Sequence, residues 1–192
     1  RYASWYASIP GLKVLGPYSS EDACGLLKAS IRDTDPVIIE FLYGESFTVL
    51  TEVLDSSFCL PIGKAKIERE GNDMTITLQL SPRWLVTLSS IVEDLDILIL
   101  AAEILSKEGM SVEAINLRSI RPFDRTAINA AVRKTNRLVT LEEGFPQHGV
   151  GAEICASVVE ESFAYLEAPV EKIAGSNVPM PYAANLERMV VS

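Results

Sequence analysis

Few residues in this chain are of types that could do chemistry. There is one histidine, His148, and there are three widely separated cysteines, Cys24, Cys59 and Cys155. An imidazole titrates near neutrality and could move a proton. No Ser or Cys nucleophile pattern accompanies His148, however, and a lone histidine at a helix start reads as structural or solvent-facing. Gly149-Val150-Gly151 follows an apolar run and opens a helical one, where a dinucleotide-binding turn would sit. The third glycine of that fingerprint is absent, because position 154 is Ile, so the glycines read as a packing device. Glu142 and Glu143 could act as a carboxylate pair at a strand's end, although an exposed charged turn is the simpler expectation. The cysteines form no CxxC pair and are odd in number. That pattern gives neither a disulfide framework nor a zinc site, and a reducing compartment is the default.

The turn Ser30-Ile31-Arg32-Asp33-Thr34-Asp35-Pro36 has more to offer. A helix ends there, leaving carbonyl oxygens without intrahelical partners, and two carboxylates lie close by. Oxygen-rich turns of this kind bind hard cations. From composition alone the turn is still an ordinary helix stop.

The elements that must position these residues follow a regular rhythm. Leu12–Leu15 reads as a short strand closed by Gly16-Pro17. Ser19, with Asp22 three residues later, opens a helix at capping-box spacing, and Ala23, Leu26, Leu27, Ser30 and Ile31 form its apolar stripe. Pro36 disfavours a helical Asp35 and stops it, and Val37–Leu42 is a β-branched strand candidate. Beyond a mixed segment, Met74–Leu80, Val112–Leu117, Arg137–Leu141 and Val170–Ile173 read as strands. Leu98–Lys107, Asp124–Thr135 and Gly151–Tyr165 read as the helices between them. Strands alternating with helices predict an α/β fold with a mainly parallel sheet covered on its faces.

Composition excludes several function classes. The chain has 192 residues, 48% of them apolar and 22% charged, and a net charge of −9. That is globular rather than disordered, and its acidity argues against nucleic-acid binding. The most apolar stretch, Trp84–Leu105, carries Glu93, Asp94, Asp96 and Glu103, so no membrane span is expected. The first residue is Arg1 rather than Met, from which we expect part of a longer or processed product, with any targeting peptide out of view.

Several long runs resemble one family. They include Leu60-Pro61-Ile62-Gly63-Lys64-Ala65-Lys66-Ile67-Glu68-Arg69, Ile115-Asn116-Leu117-Arg118-Ser119-Ile120-Arg121-Pro122 and Lys134-Thr135-Asn136-Arg137-Leu138-Val139-Thr140. Gly144-Phe145-Pro146-Gln147-His148-Gly149-Val150-Gly151-Ala152-Glu153-Ile154 and Val178-Pro179-Met180-Pro181-Tyr182-Ala183 belong with them, as do Pro10-Gly11-Leu12-Lys13-Val14 and Ser20-Glu21-Asp22-Ala23. Together they resemble the β subunit of the thiamine-diphosphate-dependent decarboxylating component of pyruvate dehydrogenase, in wording nearest the plant mitochondrial forms.

The resemblance implies residues 1–47 as the end of a pyrimidine-binding α/β domain and 48–61 as a linker. It implies 62–192 as a transketolase C-terminal-like α/β domain, with a divergent insert at 78–100. It further implies an α2β2 assembly with an α subunit in the mitochondrial matrix, and thiamine diphosphate and magnesium at the α–β interface. The implied reaction decarboxylates pyruvate and acetylates the lipoyl group of the complex's acyltransferase core; branched-chain 2-oxo acids are the alternative substrate class. The family's activating glutamate and its β-side active-site histidine match positions upstream of Arg1, and His148 matches neither. No catalytic or cofactor-binding residue is therefore expected here, and the chain alone should be catalytically silent. The family's potassium site carries over onto Ser30, Ile31, Asp33 and Asp35, with Ala the commoner residue at position 30. Val37–Tyr43 is about three residues shorter than the family's run, a loss that would flip a strand's faces. The divergent stretch contains Trp84-Leu85-Val86-Thr87-Leu88, an aggregation hazard if exposed. Alternative expectations are a non-catalytic interaction module and a degenerate gene product.

Overall fold

The computed structural model describes residues 2–40, 55, 57–79, 94–142 and 144–179. The end of the expected strand Val37–Leu42, most of the expected linker, most of the 78–100 insert, Glu143 and the run from Met180 onward lie outside the described residues.

The capping box that the Ser19–Asp22 spacing predicts is present at the start of helix α2 (Ser20–Arg32). Asp22 N–H donates to Ser19 Oγ at 3.1 Å, and the Asp22 carboxylate accepts Ser19 N–H at 3.4 Å. These reciprocal bonds serve amides that a helix start otherwise leaves without partners. Strands β1 (Lys13–Leu15) and β2 (Val37–Ile39) flank α2 and pair in parallel, Lys13 opposite Val37. A short helix α1 (Tyr2–Ala7) precedes them; the sequence gives it no cap, and it was not anticipated.

The second unit runs β3 (Lys66–Arg69), β4 (Met74–Gln79), α3 (Asp94–Lys107), β5 (Val112–Asn116), β6 (Ser119–Arg121), α4 (Arg125–Thr135), β7 (Leu138–Glu142), α5 (Val150–Ser162) and β8 (Glu171–Ala174), with a 3-10 turn at Phe163–Tyr165. Its sheet has the order β3-β5-β4-β7-β8. β4, β5, β7 and β8 are parallel, and only the edge strand β3 is antiparallel. The mainly parallel α/β architecture is thus as predicted. Asp124 caps α4 by accepting Ala127 N–H at 3.1 Å, and Asn136 ends it at φ 61, the left-handed exit in which Asn is tolerated.

Pairing fixes which side chains share a face. On one face Ile76, Leu78, Val112 and Ala114 pack under Leu98 and Ala102 of α3. On the other, Leu138 packs with Ile128 and Val132 of α4 and Val150, Ile154 and Val158 of α5. Each fully buried Leu, Ile or Val contributes about 1.5–3 kcal/mol of transfer free energy. The two units share a second sheet, β2-β1-β6, in which β1 runs antiparallel to β6. Three-residue β6 was too short to leave a period in the sequence. Leu60 and Phe58 press onto α2 at Gly25, and Leu60 N–H donates to Gly25 O at 3.2 Å.

Candidate functional site

At the helix stop, Asp33 takes the C-cap position and Asp35 N–H donates to Asp33 Oδ1 at 2.9 Å, folding the turn on itself. The parallel register of β1 and β2 carries Lys13 to this turn. Its Nζ lies 2.8 and 2.7 Å from the two Asp33 oxygens and 3.1 Å from Asp35 Oδ2. These contacts hold the Asp33 carboxyl below its ordinary pKa and raise that of Lys13. Ser30 Oγ donates to Leu26 O at 2.7 Å, and the Ile31 side chain is exposed. The two carboxylates of the turn are therefore paired with the Lys13 ammonium. The sequence reading missed Lys13, although it opens the strand that must lie beside the one following the acidic turn.

The end of β7 corrects one expectation. Glu142 is not part of an exposed turn: it is buried, with 5% of its surface accessible. β7 lies between β4 and β8, so its last residue stays inside, on the face that α5 covers. Burial pushes the Glu142 carboxyl above its usual pKa, opposed by the N–H groups of Val150 and Gly151 and by the charge of Lys172. One oxygen, Oε1, has no well-aligned hydrogen bond.

The two glycines make room for this carboxylate. A Cβ on Gly149 would lie 2.4 Å from both Glu142 oxygens, and one on Gly151 would lie 2.9 Å from Oε1 and from Thr140 Oγ1. A helix N-terminus attracts anions through its free N–H groups and its dipole. Here the chain's own carboxylate takes that place.

His148 is exposed, with φ 58, and lines a cavity of about 720 Å³ with Ser8, Arg121 and Arg125. Both arginines already have partners. Arg121 Nη1 donates to Ala7 O, and Arg125 pairs with Glu160 at 2.6 Å and Glu161 at 3.1 Å. Cys24, Cys59 and Cys155 are free thiols, and burial raises the Cys155 pKa. Among the described residues no group of three or more His, Cys, Asp or Glu is placed to hold a metal. Nor is any described helix long and apolar enough to cross a membrane.

With these features in place, the chain can be set beside known proteins. Residues 63–192 match the model of the transketolase C-terminal domain, and the chain belongs to that family. Across 99% of its length it is 71% identical to the mitochondrial pyruvate dehydrogenase E1 component subunit beta-1 of Oryza sativa subsp. japonica. It is 68% identical to the Arabidopsis thaliana subunit beta-1 across the same share, and 54% identical to the Drosophila melanogaster subunit beta across 97%. The chain spans about half of these relatives' own length: 48%, 50% and 49%. A solved split-gene transketolase, an inactive β4 tetramer, overlays with a TM-score of 0.72 at 23% identity, covering 99% of this chain and 56% of that one. At that identity it speaks for the fold.

Proposed function

We propose that this chain is the contact-forming part of a pyruvate dehydrogenase β subunit. The observation that carries the proposal is an identity of 68–71% to plant mitochondrial β subunits over 99% of the chain. On this reading its partners are a pyruvate dehydrogenase α subunit, in an α2β2 assembly, and the lipoyl acyltransferase core. Its place is the mitochondrial matrix, and the whole enzyme decarboxylates pyruvate and transfers the acetyl group. Residues 1–47 would close a pyrimidine-binding domain, 48–61 would link, and 62–192 would form the C-terminal domain.

The described residues do not fit thiamine diphosphate or its magnesium. The α5 N-terminus, a glycine-flanked helix start of a kind that can cradle phosphate, is filled by Glu142, whose oxygens lie 2.4 Å from where a Gly149 Cβ would be. No three-ligand acidic or histidine cluster exists among them. A potassium ion at the α2 stop would rest on main-chain carbonyls around Ser30 and Ile31, because Lys13 engages Asp33 and Asp35.

Co-expression with the α subunit of a plant relative, followed by size exclusion, tests the reading. Co-elution as one species is expected, and separate elution of two folded proteins overturns it. Calorimetry of the chain alone with thiamine diphosphate and magnesium should give no stoichiometric heat.

A further inference from the structure

The most heavily buried carboxylate outside the sites above lies where the two units meet. Asp22, on the first turn of α2, is wholly inaccessible, and its Oδ1 lies 2.6 Å from Nε of Arg118, whose side chain is 10% exposed. Arg118 follows β5 and holds φ 57, a conformation that non-glycine residues seldom adopt. Its backbone is held in that turn by Asn116, whose Oδ1 accepts Arg118 N–H at 3.1 Å, and by Gly16 of the first unit, whose N–H donates to Arg118 O at 2.9 Å. Asn116 is also buried. Its Nδ2 donates to Asp22 Oδ2 at 3.4 Å and to Glu68 Oε1 at 3.2 Å. Lys66 completes the group, 3.1 Å from Glu68 and 3.7 Å from Glu21.

Asp22 thus has two tasks. It closes the capping box of α2, and it is the anion that Arg118 requires. A buried carboxylate stripped of its cation is strongly disfavoured, so Asp22 cannot keep its capping position unchanged when Arg118 leaves. We propose that the contact between the two units and the first turn of α2 open together as one cooperative step, with Asp22 as the joint. Coupling between two sites is reciprocal: the energy by which each steadies the other is the same read from either end.

Native-state hydrogen exchange of the full chain reads both ends. The reporters at α2 are the amides of Asp22 and Ala23, which donate to Ser19 Oγ at 3.1 Å and Ser19 O at 2.8 Å. The reporters at the junction are the amides of Gly16 and Arg118, and Asn136, which donates to Val132 O, is the control. Arg118→Gly removes the cation while relieving the positive φ. It should speed exchange at Asp22 and Ala23 by about tenfold or more and leave Asn136 unchanged. Arg118→Lys should fall between this variant and the parent. Ser19→Ala, which touches only the cap, should speed exchange at Gly16 and Arg118. Parent-like rates at Asp22 and Ala23 in Arg118→Gly, or an effect of Ser19→Ala confined to α2, overturn the proposal. If Arg118→Gly does not fold, the Ser19→Ala outcome decides it alone.

Discussion

Replacing Gly149 by Ala isolates the cradle of Glu142. Gly149 has φ −77 and ψ 165, which alanine adopts freely, so no backbone strain enters. The new Cβ would lie 2.4 Å from both carboxylate oxygens and 2.6 Å from Cδ. The carboxylate must move by a large fraction of an ångström and lose its approach to the Val150 and Gly151 amides. Hydrogen bonds to a charged group contribute about 1.5–3 kcal/mol each, and a buried acid can escape part of the loss by taking up a proton. We expect a net destabilisation of about 2–4 kcal/mol, which for a chain of this size is roughly 5–15 °C in Tm. Urea unfolding at neutral pH, followed by circular dichroism, measures it. The decisive step is a cycle with Glu142→Ala. With no carboxylate to displace, Gly149→Ala should cost nothing or stabilise by up to about 1 kcal/mol through the unfolded chain. A coupling of about 2 kcal/mol or more is expected; additivity within about 0.5 kcal/mol would refute the cradle.

Other perturbations follow from the same geometry. Glu142 and Glu40 are both buried acids with raised pKa values. A group whose folded pKa is raised stabilises below its unfolded pKa, and that contribution is lost as pH climbs through the folded value. Glu142→Gln and Glu40→Gln should each flatten the fall in stability above the usual carboxylate range, checked by urea midpoints from pH 4 to 8. Lys13→Met should return the Asp33 carboxyl toward its ordinary pKa, visible as an upward-shifted titration by carboxyl-carbon NMR. Gly25→Ala places a Cβ 2.5 Å from Leu60 Cγ, so overpacking of about 1–3 kcal/mol should outweigh the gain in helix propensity of about 1 kcal/mol. Leu60→Ala should restore most of that loss in thermal unfolding. Gly71→Ala meets backbone, 2.2 Å from Glu113 N and Val112 C, and should give no soluble folded protein.

The elements that reported themselves in the sequence carry either a cap or a long period. Ser19 and Asp22 marked the start of α2 to the residue, and the expected helix Asp124–Thr135 lies within one residue of α4, which Asp124 caps. The β-branched and alternating runs found β4, β5 and β7 to within a residue or two at each end. Short elements escaped, because three residues of β6 and six of α1 define no period, and three of the four residues of β3 are charged. The site chemistry was harder to read. An acid at a strand's end beside glycines reads the same whether it faces water or a helix N-terminus; what buried Glu142 was the position of β7 between β4 and β8. Lys13 was invisible as a counter-ion for a similar reason: its partners are 20 or more residues away and are brought to it only by strand pairing.

Many of the charged side chains are committed internally once folded. Asp33 and Asp35 hold Lys13, Glu142 holds the start of α5, Asp22 holds Arg118, and Lys134 is shared by Glu70 and Glu113. Several large apolar side chains face outward instead, among them Trp5, Ile31, Val159 and Phe163, which are 71%, 76%, 53% and 68% exposed. Single exposed apolar residues are ordinary. Here they recur on α1, α2 and α5 and on the turn after α5, while these charges are paired within the chain. A surface of that kind favours being covered. It supports the reading, proposed above, that this chain's role lies in subunit contact.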